Sequence, residues 1–537
     1  MTPSRGRDLY LAGGILALGV WLSLRYGGQG LMPLDQSIVF DGGWRVLSGQ
    51  VPYRDFGTPA GLLPILLQAV SFALFGVSWS SYLGHAALVN GLYGVVAYAL
   101  LRALRANPLL SAGCAGASVW LLYPPIGTPY PEQHAFFFVL LACAAGAWAA
   151  RANSARGAAA GWALLGAVWW LAVLCKLNAA AVGALPVLCT LLLGWPRPRA
   201  WLRRLGWAVA GGLAAVVATA GAVAAFGVDP EMLRLYAFDL PLEAGQGRLD
   251  RFELTRAFGR LLRAPVLSPH AIPDAIVLAA LVVGWSRRRG RPVGELRDAA
   301  GAALLAVALL VSSALFLGTA ANQTEIGLAP IFVSLALAGH ALVLVLPGRV
   351  ASSIVFVAVG AIIVADTLRF HREVVVPRSV LDMEFDPATA TRMRTLGLES
   401  MQHQAPHKTP VKSRDLERLL TFLGKRSGNF LLIGDHSILY GLSGRPSLPP
   451  SLWFHAGLAH PGVGHPARRQ YEAALVDSLD SSDGGARWVI VEGEETWMGT
   501  RLADLAGLEQ RLVRPPMRIG AFQIYAVRER AAAAAAP

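Results

Sequence analysis

The stretch Leu31–Gly61, LMPLDQSIVFDGGWRVLSGQVPYRDFGTPAG, decides how the whole chain is read. It is a polar insert between a first long apolar run and the rest of a strongly apolar sequence, and it carries Asp35, Asp41, Arg45, Arg54 and Asp55. Crossing a bilayer requires no such insert, because a membrane helix satisfies its own backbone and asks only for apolar side chains. Ionisable groups kept beside a membrane are costly, and by default they are candidates for function.

Outside that loop the composition is that of an integral membrane protein. The 537 residues are 54% hydrophobic and 15% charged, with a mean hydropathy of +0.48, outside the range of ordinary soluble domains. Apolar runs of about 17–25 residues recur from Leu9 to Ala365, each long enough to cross a hydrocarbon core of about 30 Å. After Asp366 the composition turns polar, so the expected division is a transmembrane domain over 1–366 and an extracytoplasmic domain over 367–537. Arg5 and Arg7 precede the run Leu9–Leu24, which is long and lacks a small-residue cleavage site; it reads as a retained first span. The formal charge of +13 would suggest nucleic acid in a soluble protein. Here the arginines punctuate apolar runs, so the positive-inside rule explains them and no nucleic acid is implied. Cys114, Cys143, Cys175 and Cys189 lie in apolar segments without metal-ligand spacing, which argues against a disulfide framework or a zinc site.

Sidedness tests the span count. With the N-terminus inside, the Asp35 loop is outside. If Leu62–Phe75 and Tyr82–Leu101 both crossed, Arg102, Arg105 and every later arginine cluster would lie outside. If Leu62–Phe75 instead lies along the outer face or re-enters it, the inner loops carry Arg102, Arg105, Arg151, Arg156, Arg197, Arg199, Arg203, Arg204, Arg287, Arg297 and Arg349. Positive charge selects the second arrangement. It gives about eleven spans plus one juxtamembrane or re-entrant helix, with the C-terminal domain outside. The outer face then holds Tyr123–His134, the Lys176–Asn178 turn and the long loop Asp229–Pro269. Phe430–Ile433, Trp488–Val491 and Phe522–Val527 read as strands, and Ser413–Leu423 and Arg468–Leu479 as helices, so the C-terminal domain is expected to be a small α/β unit.

Asp35 is the first chemical candidate. A carboxylate at the membrane surface can take the proton of an acceptor hydroxyl while a lipid-linked donor presents its phosphate nearby. The alternatives are a solvated loop aspartate or an N-cap for a helix over Gln36–Leu47. Glu132 heads an apolar run, where an acid is also favoured by the helix dipole. Lys176 is a single lysine between two apolar runs on the outer side, where topology asks for no positive charge; it either meets a phosphate or snorkels from a helix end.

Asp35-Gln36, Gly49, Val51-Pro52-Tyr53-Arg54-Asp55-Phe56, Pro59 and the closing Leu74-Phe75-Gly76-Val77-Ser78 resemble the start of GT-C superfamily glycosyltransferases. The nearest group is the one containing bacterial protein O-mannosyltransferases and lipid A aminoarabinose transferases. That resemblance implies a polytopic enzyme using a polyprenyl-phosphate sugar, with catalysis in the first outer loop and Asp35 as general base. It places Gln36, Tyr53, Arg54 and Asp55 about the substrate and makes the segment after the proline turn a juxtamembrane helix. It also equates Glu132 with the second acidic position, which can orient the acceptor or hold a divalent ion with Asp35. Lys176 resembles the lysine that contacts the donor phosphate, and His134 lies beside Glu132 as a polar neighbour. The family's second acid is replaced by Gln36, and the lysine of its K-P-P turn is absent from Gly57-Thr58-Pro59-Ala60, which leaves the donor and any metal open. Arg248 and Arg251 could grip a phosphate bidentately, but as many acids surround them and internal ion pairs compete. Gly434-Asp435-His436, Leu439-Tyr440 and Ser443-Gly444-Arg445 resemble a stretch of the superfamily's outer domain that is structural or assists acceptor binding.

The function expected is inverting transfer of a sugar from a polyprenyl-phosphate donor to a lipid, glycan or protein acceptor, outside a bacterial cytoplasmic (inner) membrane. A lipid-sugar flippase would instead bury charges mid-span, and the runs here are nearly free of them. A polysaccharide polymerase or ligase with a diphosphate-linked donor would favour paired arginines over one lysine, and an inactive scaffold would keep the fold alone.

Overall fold

The computed structural model describes residues 5–27, 34–123, 127–194, 196–249, 293–319, 330–346, 349–370, 372, 411–480, 485–496 and 498–528. They form two compact units, each gathered from distant parts of the chain. One comprises Met1–Gly27, Ala86–Ala222 and Arg248–Pro377; the other comprises Gly28–His85, Val223–Gly247 and Arg378–Pro537.

The first unit is helical. Its elements are α1 (Arg5–Gly27), most of α4 (Trp79–Ala103), α5 (Pro108–Leu122), α6 (Pro131–Ala149), α7 (Ala155–Cys175), α8 (Leu177–Leu191), α9 (Pro198–Ala225) and the helices Val293–Thr319, Ile331–Val345 and Arg349–Phe370. Local sequence sets several of their starts. Asn107 caps α5 by accepting from the amides of Leu109 and Leu110, Ser154 caps α7 by accepting from Gly157, and Pro131 fills the first turn of α6, where no amide partner is lost. Among the described residues seven helices are long and apolar enough to cross a bilayer: α1, α4, α6, α7, α9, Gly294–Leu317 and Ser352–Arg369. Shorter apolar helices are α5, α8, Ile331–Val345 and, in the other unit, α3 (Leu62–Phe75). The span expected ahead of Arg287 lies outside the described residues. Ile331–Val345 is buried along nearly its whole length, whereas α9 exposes Leu202, Trp207, Leu213 and Val217, an apolar face suited to lipid.

α1 and α4 run antiparallel at very close range. A Cβ on Gly91 would lie 2.7 Å from the Leu16 carbonyl oxygen, so only glycine fits. At the residue before it, the Asn90 side-chain amide donates to the carbonyls of Gly19 and Val119, both at 2.9 Å. At the far end the Tyr98 hydroxyl donates to Asp8 at 2.6 Å and Arg102 pairs with Asp8 at 3.3 Å. The start of α1 and the end of α4 therefore share one end of the helical unit, the arrangement expected if the segment joining them makes no net crossing. The 14 residues of α3 rise as a helix about 21 Å, short of a hydrocarbon core of about 30 Å.

In the second unit α2 (Asp35–Leu47) and α3 pack with the C-terminal α/β elements. Four strands, β1 (Asn429–Ile433), β2 (Ala486–Glu492), β3 (Met517–Ile519) and β4 (Phe522–Ala526), form a sheet of order β1-β2-β4-β3. β1 and β2 are parallel, and the other two pairings are antiparallel. Alternation along the strands divides the core. Phe430, Leu432, Ile490 and Ile524 face the helix Ser413–Lys425 together with Phe40 of α2, Phe72 of α3, Trp79 and Tyr82. Leu431, Ile433, Val489, Val491 and Tyr525 face the other way, against Leu475 of the helix Arg468–Asp477, Leu479 just beyond it, Leu505 and Leu508. Phe40 stands edge-on to both Phe72 and Tyr82, at 4.8 and 5.3 Å between centroids. The three expected strands and two expected helices are present. The fourth strand, β3, has no apolar pattern and was not anticipated.

Candidate active site

The polar stretch that opens the sequence is ordered by burial of its own charges. Arg45 and Asp41, one helical turn apart on α2, are both fully buried, and Arg45 Nε donates to Asp41 Oδ2 at 2.9 Å. The Ser447 hydroxyl donates to the other Asp41 oxygen. The Arg45 guanidinium also donates to the carbonyls of Pro449 at 2.7 Å and Ser451 at 3.4 Å, and it lies 5.0 Å from the Phe56 ring centroid. Burial raises the Asp41 pKa, and the Arg45 charge and the Ser447 hydroxyl only partly counter it. Gln50 and Trp44 donate to the carbonyls of Ser447 and Arg445, and the Gly57 amide donates to that of Pro450 at 2.8 Å. Asp41 and Arg45 are thus occupied in clamping residues 445–451 and are not presented to a substrate.

The turn Val51–Gly57 is similarly held. Tyr53 adopts φ +61, takes the Phe56 carbonyl on its amide at 2.8 Å, and is buried beside Tyr236 and Leu240. A Cβ on Gly57 would sit 2.3 Å from the Tyr236 ring, so this glycine is required for the contact. Tyr236 belongs to a one-turn π-helix, Leu235–Asp239, which follows the short helix Pro230–Arg234. Arg54 and Asp55 pair with each other at 2.8 Å, Asp55 accepts from the Val51 amide at 2.7 Å, and Arg54 reaches the Phe226 carbonyl at 3.4 Å. Partial burial would raise the Asp55 pKa, but the Arg54 and Val51 hydrogen bonds and the Arg54 charge outweigh it and hold the carboxyl below its usual range. Gln36 is buried near the start of α2.

In the helical unit the fold brings Glu132 and Lys176 together. Glu132 lies in the first turn of α6, and Lys176 is the single residue between α7 and α8. The ammonium lies 3.5 Å from Glu132 Oε1, with the lysine side chain 31% exposed and the carboxylate 8%. Glu132 Oε2 is buried with no hydrogen-bond partner among the described residues, as are Thr128 Oγ1 and Gln133 Oε1 on the same short segment. Sequence reading missed Thr128 and Gln133; their only signal is a polar side chain beside an acid in an apolar run. His134 is fully buried, its Nδ1 lying 2.8 Å from the Tyr130 carbonyl and 2.8 Å from the Tyr123 hydroxyl. Held between these two groups, the ring braces the entry to α6.

Asp35 is the first residue of α2 and follows Leu34, whose amide donates to the Asp435 carbonyl at 2.7 Å. The Asp35 side chain lies outside the described residues, as do the Arg248 side chain and all of Arg251. Leu34, not Asp35, occupies the N-cap position, and no side chain caps the helix. Beyond β1, His436 Nδ1 meets Glu492 Oε1 at 2.9 Å in a fully buried ion pair. Burial opposes the charge on each partner. The carboxylate nevertheless holds the imidazole pKa above its usual value, and the imidazolium holds the Glu492 pKa below its own. Asp435 and His436 lie past the end of β1, and the sequence offers no signal that singles out Glu492. Among the described residues no group of three or more His, Cys, Asp or Glu side chains is placed to hold a metal ion.

No protein-family model matches the chain, and a search of curated proteins finds no relative. Solved structures do resemble it. ArnT from Cupriavidus metallidurans, bound to undecaprenyl phosphate, superposes with a TM-score of 0.55 at 14% identity over 98% of each chain. The same protein in the apo state gives a TM-score of 0.53 at 14% identity, again over 98% of each chain. The arabinofuranosyltransferase AftD from Mycobacteria gives 0.48 at 16% identity over 99% of this chain and 40% of its own. The chain thus has a mostly helical fold like that of ArnT, with a small sheet near its C-terminus.

Proposed function

We propose that the protein is a glycosyltransferase that moves a sugar from a polyprenyl-phosphate donor to an acceptor hydroxyl at the outer face of the membrane. Likeness over 98% of both chains to ArnT, a protein solved with undecaprenyl phosphate bound, carries this reading. Lys176 and Glu132 fit it locally. A half-exposed ammonium tied to a buried carboxylate is a point charge already oriented for a phosphate, and orientation in advance is what makes electrostatic stabilisation effective. The unpartnered oxygens of Glu132 and Gln133 supply acceptors for sugar or acceptor hydroxyls, since buried oxygens without donors are costly.

In the proposed reaction Asp35 takes the acceptor's hydroxyl proton as that oxygen attacks the anomeric carbon and the bond to the phosphate oxygen breaks. The polyprenyl phosphate leaves with the electron pair, and Lys176 meets its charge. Attack opposite the leaving group inverts the anomeric centre. Tyr53, Arg54 and Asp55 support the loop, and Gln36, His134, Arg248 and Arg251 stay as secondary contacts in the proposal. The membrane domain over 1–366 supplies the donor groove, and the domain over 367–537 lies outside a bacterial inner membrane.

The test is transfer from a panel of polyprenyl-phosphate sugars by the full chain in proteoliposomes. Asp35→Asn is expected to lower kcat at least about a hundredfold, the scale of general-base catalysis. Turnover within about threefold of the parent would remove Asp35 from the base role.

A further inference from the structure

We propose that Glu492, paired with His436, is a positioning residue that fixes the backbone at which α2 begins, and with it the backbone of Asp35. This role rests on the reading of Asp35 as the base. The geometry runs through a single peptide group. Glu492 Oε2 accepts from the Asp435 amide at 2.8 Å and from the His436 amide at 3.3 Å. The carbonyl of that same Asp435–His436 peptide accepts from the Leu34 amide at 2.7 Å. One planar unit thus has its N–H on Glu492 and its C=O on the residue before Asp35, and hydrogen bonds in such a chain polarise one another.

Leu34 gives the connection something to hold. It adopts φ 65 and ψ −85, close to the rare γ-turn region that non-glycine residues avoid, and it is buried. A conformation of this kind is strained and persists only where its surroundings over-determine it. The Leu34 carbonyl accepts from the Ser37 amide at 2.9 Å, and the Ser437 hydroxyl reaches the Ser37 carbonyl at 3.4 Å, so the first turn is gripped from the 435–437 side twice. With no side chain capping α2, the Asp435 carbonyl takes over part of that task from a different element. His436 completes the arrangement by holding Glu492 Oε1, leaving Oε2 to the two amides, while its ring stands edge-on to Phe522 of β4 at 6.5 Å.

Hydrogen exchange on the full chain in detergent, read by mass spectrometry, tests the connection without a substrate. Glu492→Gln is expected to speed exchange of the Leu34–Ile38 amides about tenfold, the effect of losing one charge-assisted hydrogen bond, with β1 and β2 amides within about twofold of the parent. His436→Asn keeps an N–H donor near the Nδ1 position and is expected to give a smaller change at the same amides. Unchanged exchange at 34–38 in both variants overturns the proposal. Equal loosening across β1 and β2 overturns it too, because the pair would then only brace the sheet. In the transfer assay Glu492→Gln is expected to lower kcat about tenfold with the donor KM within about twofold, and to add nothing to Asp35→Asn. Fast exchange with an unchanged kcat overturns the positioning role. Full turnover by Asp35→Asn would remove the base reading instead, while the exchange result would still decide whether Glu492 orders the start of α2.

Discussion

Lys176 shows how much one residue's surroundings can reveal. A lone lysine between apolar runs was legible because nothing in a span's composition accounts for it, and Glu132 was legible because an acid opens an apolar helix. Their separation of 3.5 Å was not, since it depends on how α6 packs against the break between α7 and α8. The pair also differs from a surface salt bridge, which contributes about 0–1 kcal/mol, because the carboxylate is buried and would lose its only described cation. Lys176→Met is therefore expected to weaken undecaprenyl phosphate binding to the purified chain about tenfold or more, with Lys176→Arg losing less because it keeps the charge but not the compact geometry. Native mass spectrometry or lipid-displacement binding would measure both. Equal affinity in Lys176→Met and the parent would reduce the lysine to a helix-end anchor. His436 and Glu492 make the opposite case. His436 lies just past β1 and Glu492 ends β2, 56 positions apart in sequence, and no local pattern announces that parallel pairing of β1 and β2 will bring them together.

At the scale of elements, α2 was expected as a short helix at the head of a catalytic loop, and its apolar face was readable. Its charged face was misleading. Asp41 and Arg45 have the i, i+4 spacing of an exposed helix pair, yet the fold buries both and uses them to clamp residues 445–451. Sequence cannot separate the two cases, because the covering segment comes from about 400 positions later. The burial predicts a large effect. Asp41→Asn leaves a buried guanidinium with carbonyl partners alone and is expected to cost about 3 kcal/mol. Adding Arg45→Met should restore only part of that, since the Pro449 and Ser451 carbonyls would then lose their donor. Thermal or denaturant unfolding of the full chain reports both values. A cost under about 1 kcal/mol for Asp41→Asn would contradict the clamp and return Asp41 to the candidates for chemistry. β3 was illegible for a simpler reason: three half-exposed or exposed residues after Pro515-Pro516 carry no alternation, and only pairing with β4 makes them a strand.

For the molecule as a whole, the fold class followed from periodic apolar runs and arginine placement, signals that add over hundreds of residues and survive local error. The compact units did not, because α2, α3 and residues 223–247 join the C-terminal elements through contacts that leave no mark on composition. That grouping has a consequence for sidedness that needs no count through residues 250–292. α1 begins at the end where Asp8 meets Arg102 and finishes at the opposite end, eight positions before Asp35. The 13 residues of α2 and 14 of α3 are each too short to cross. Together with the arginine placement, this leads us to expect α2, α3 and residues 411–528 of the same compact unit on the side of the bilayer opposite Arg102. Cysteines introduced at Arg7 and Ala103 should react with a membrane-impermeant maleimide only after the cells are opened. One at Val463, which is 94% exposed, should react on intact spheroplasts. Arginine-rich loops belong inside, which fixes the direction. Reaction of Ala103→Cys and Val463→Cys from a common side would mean that α3 crosses after all, and the carboxylate at the head of α2 would then be separated by a bilayer from the groove that the proposed transfer requires.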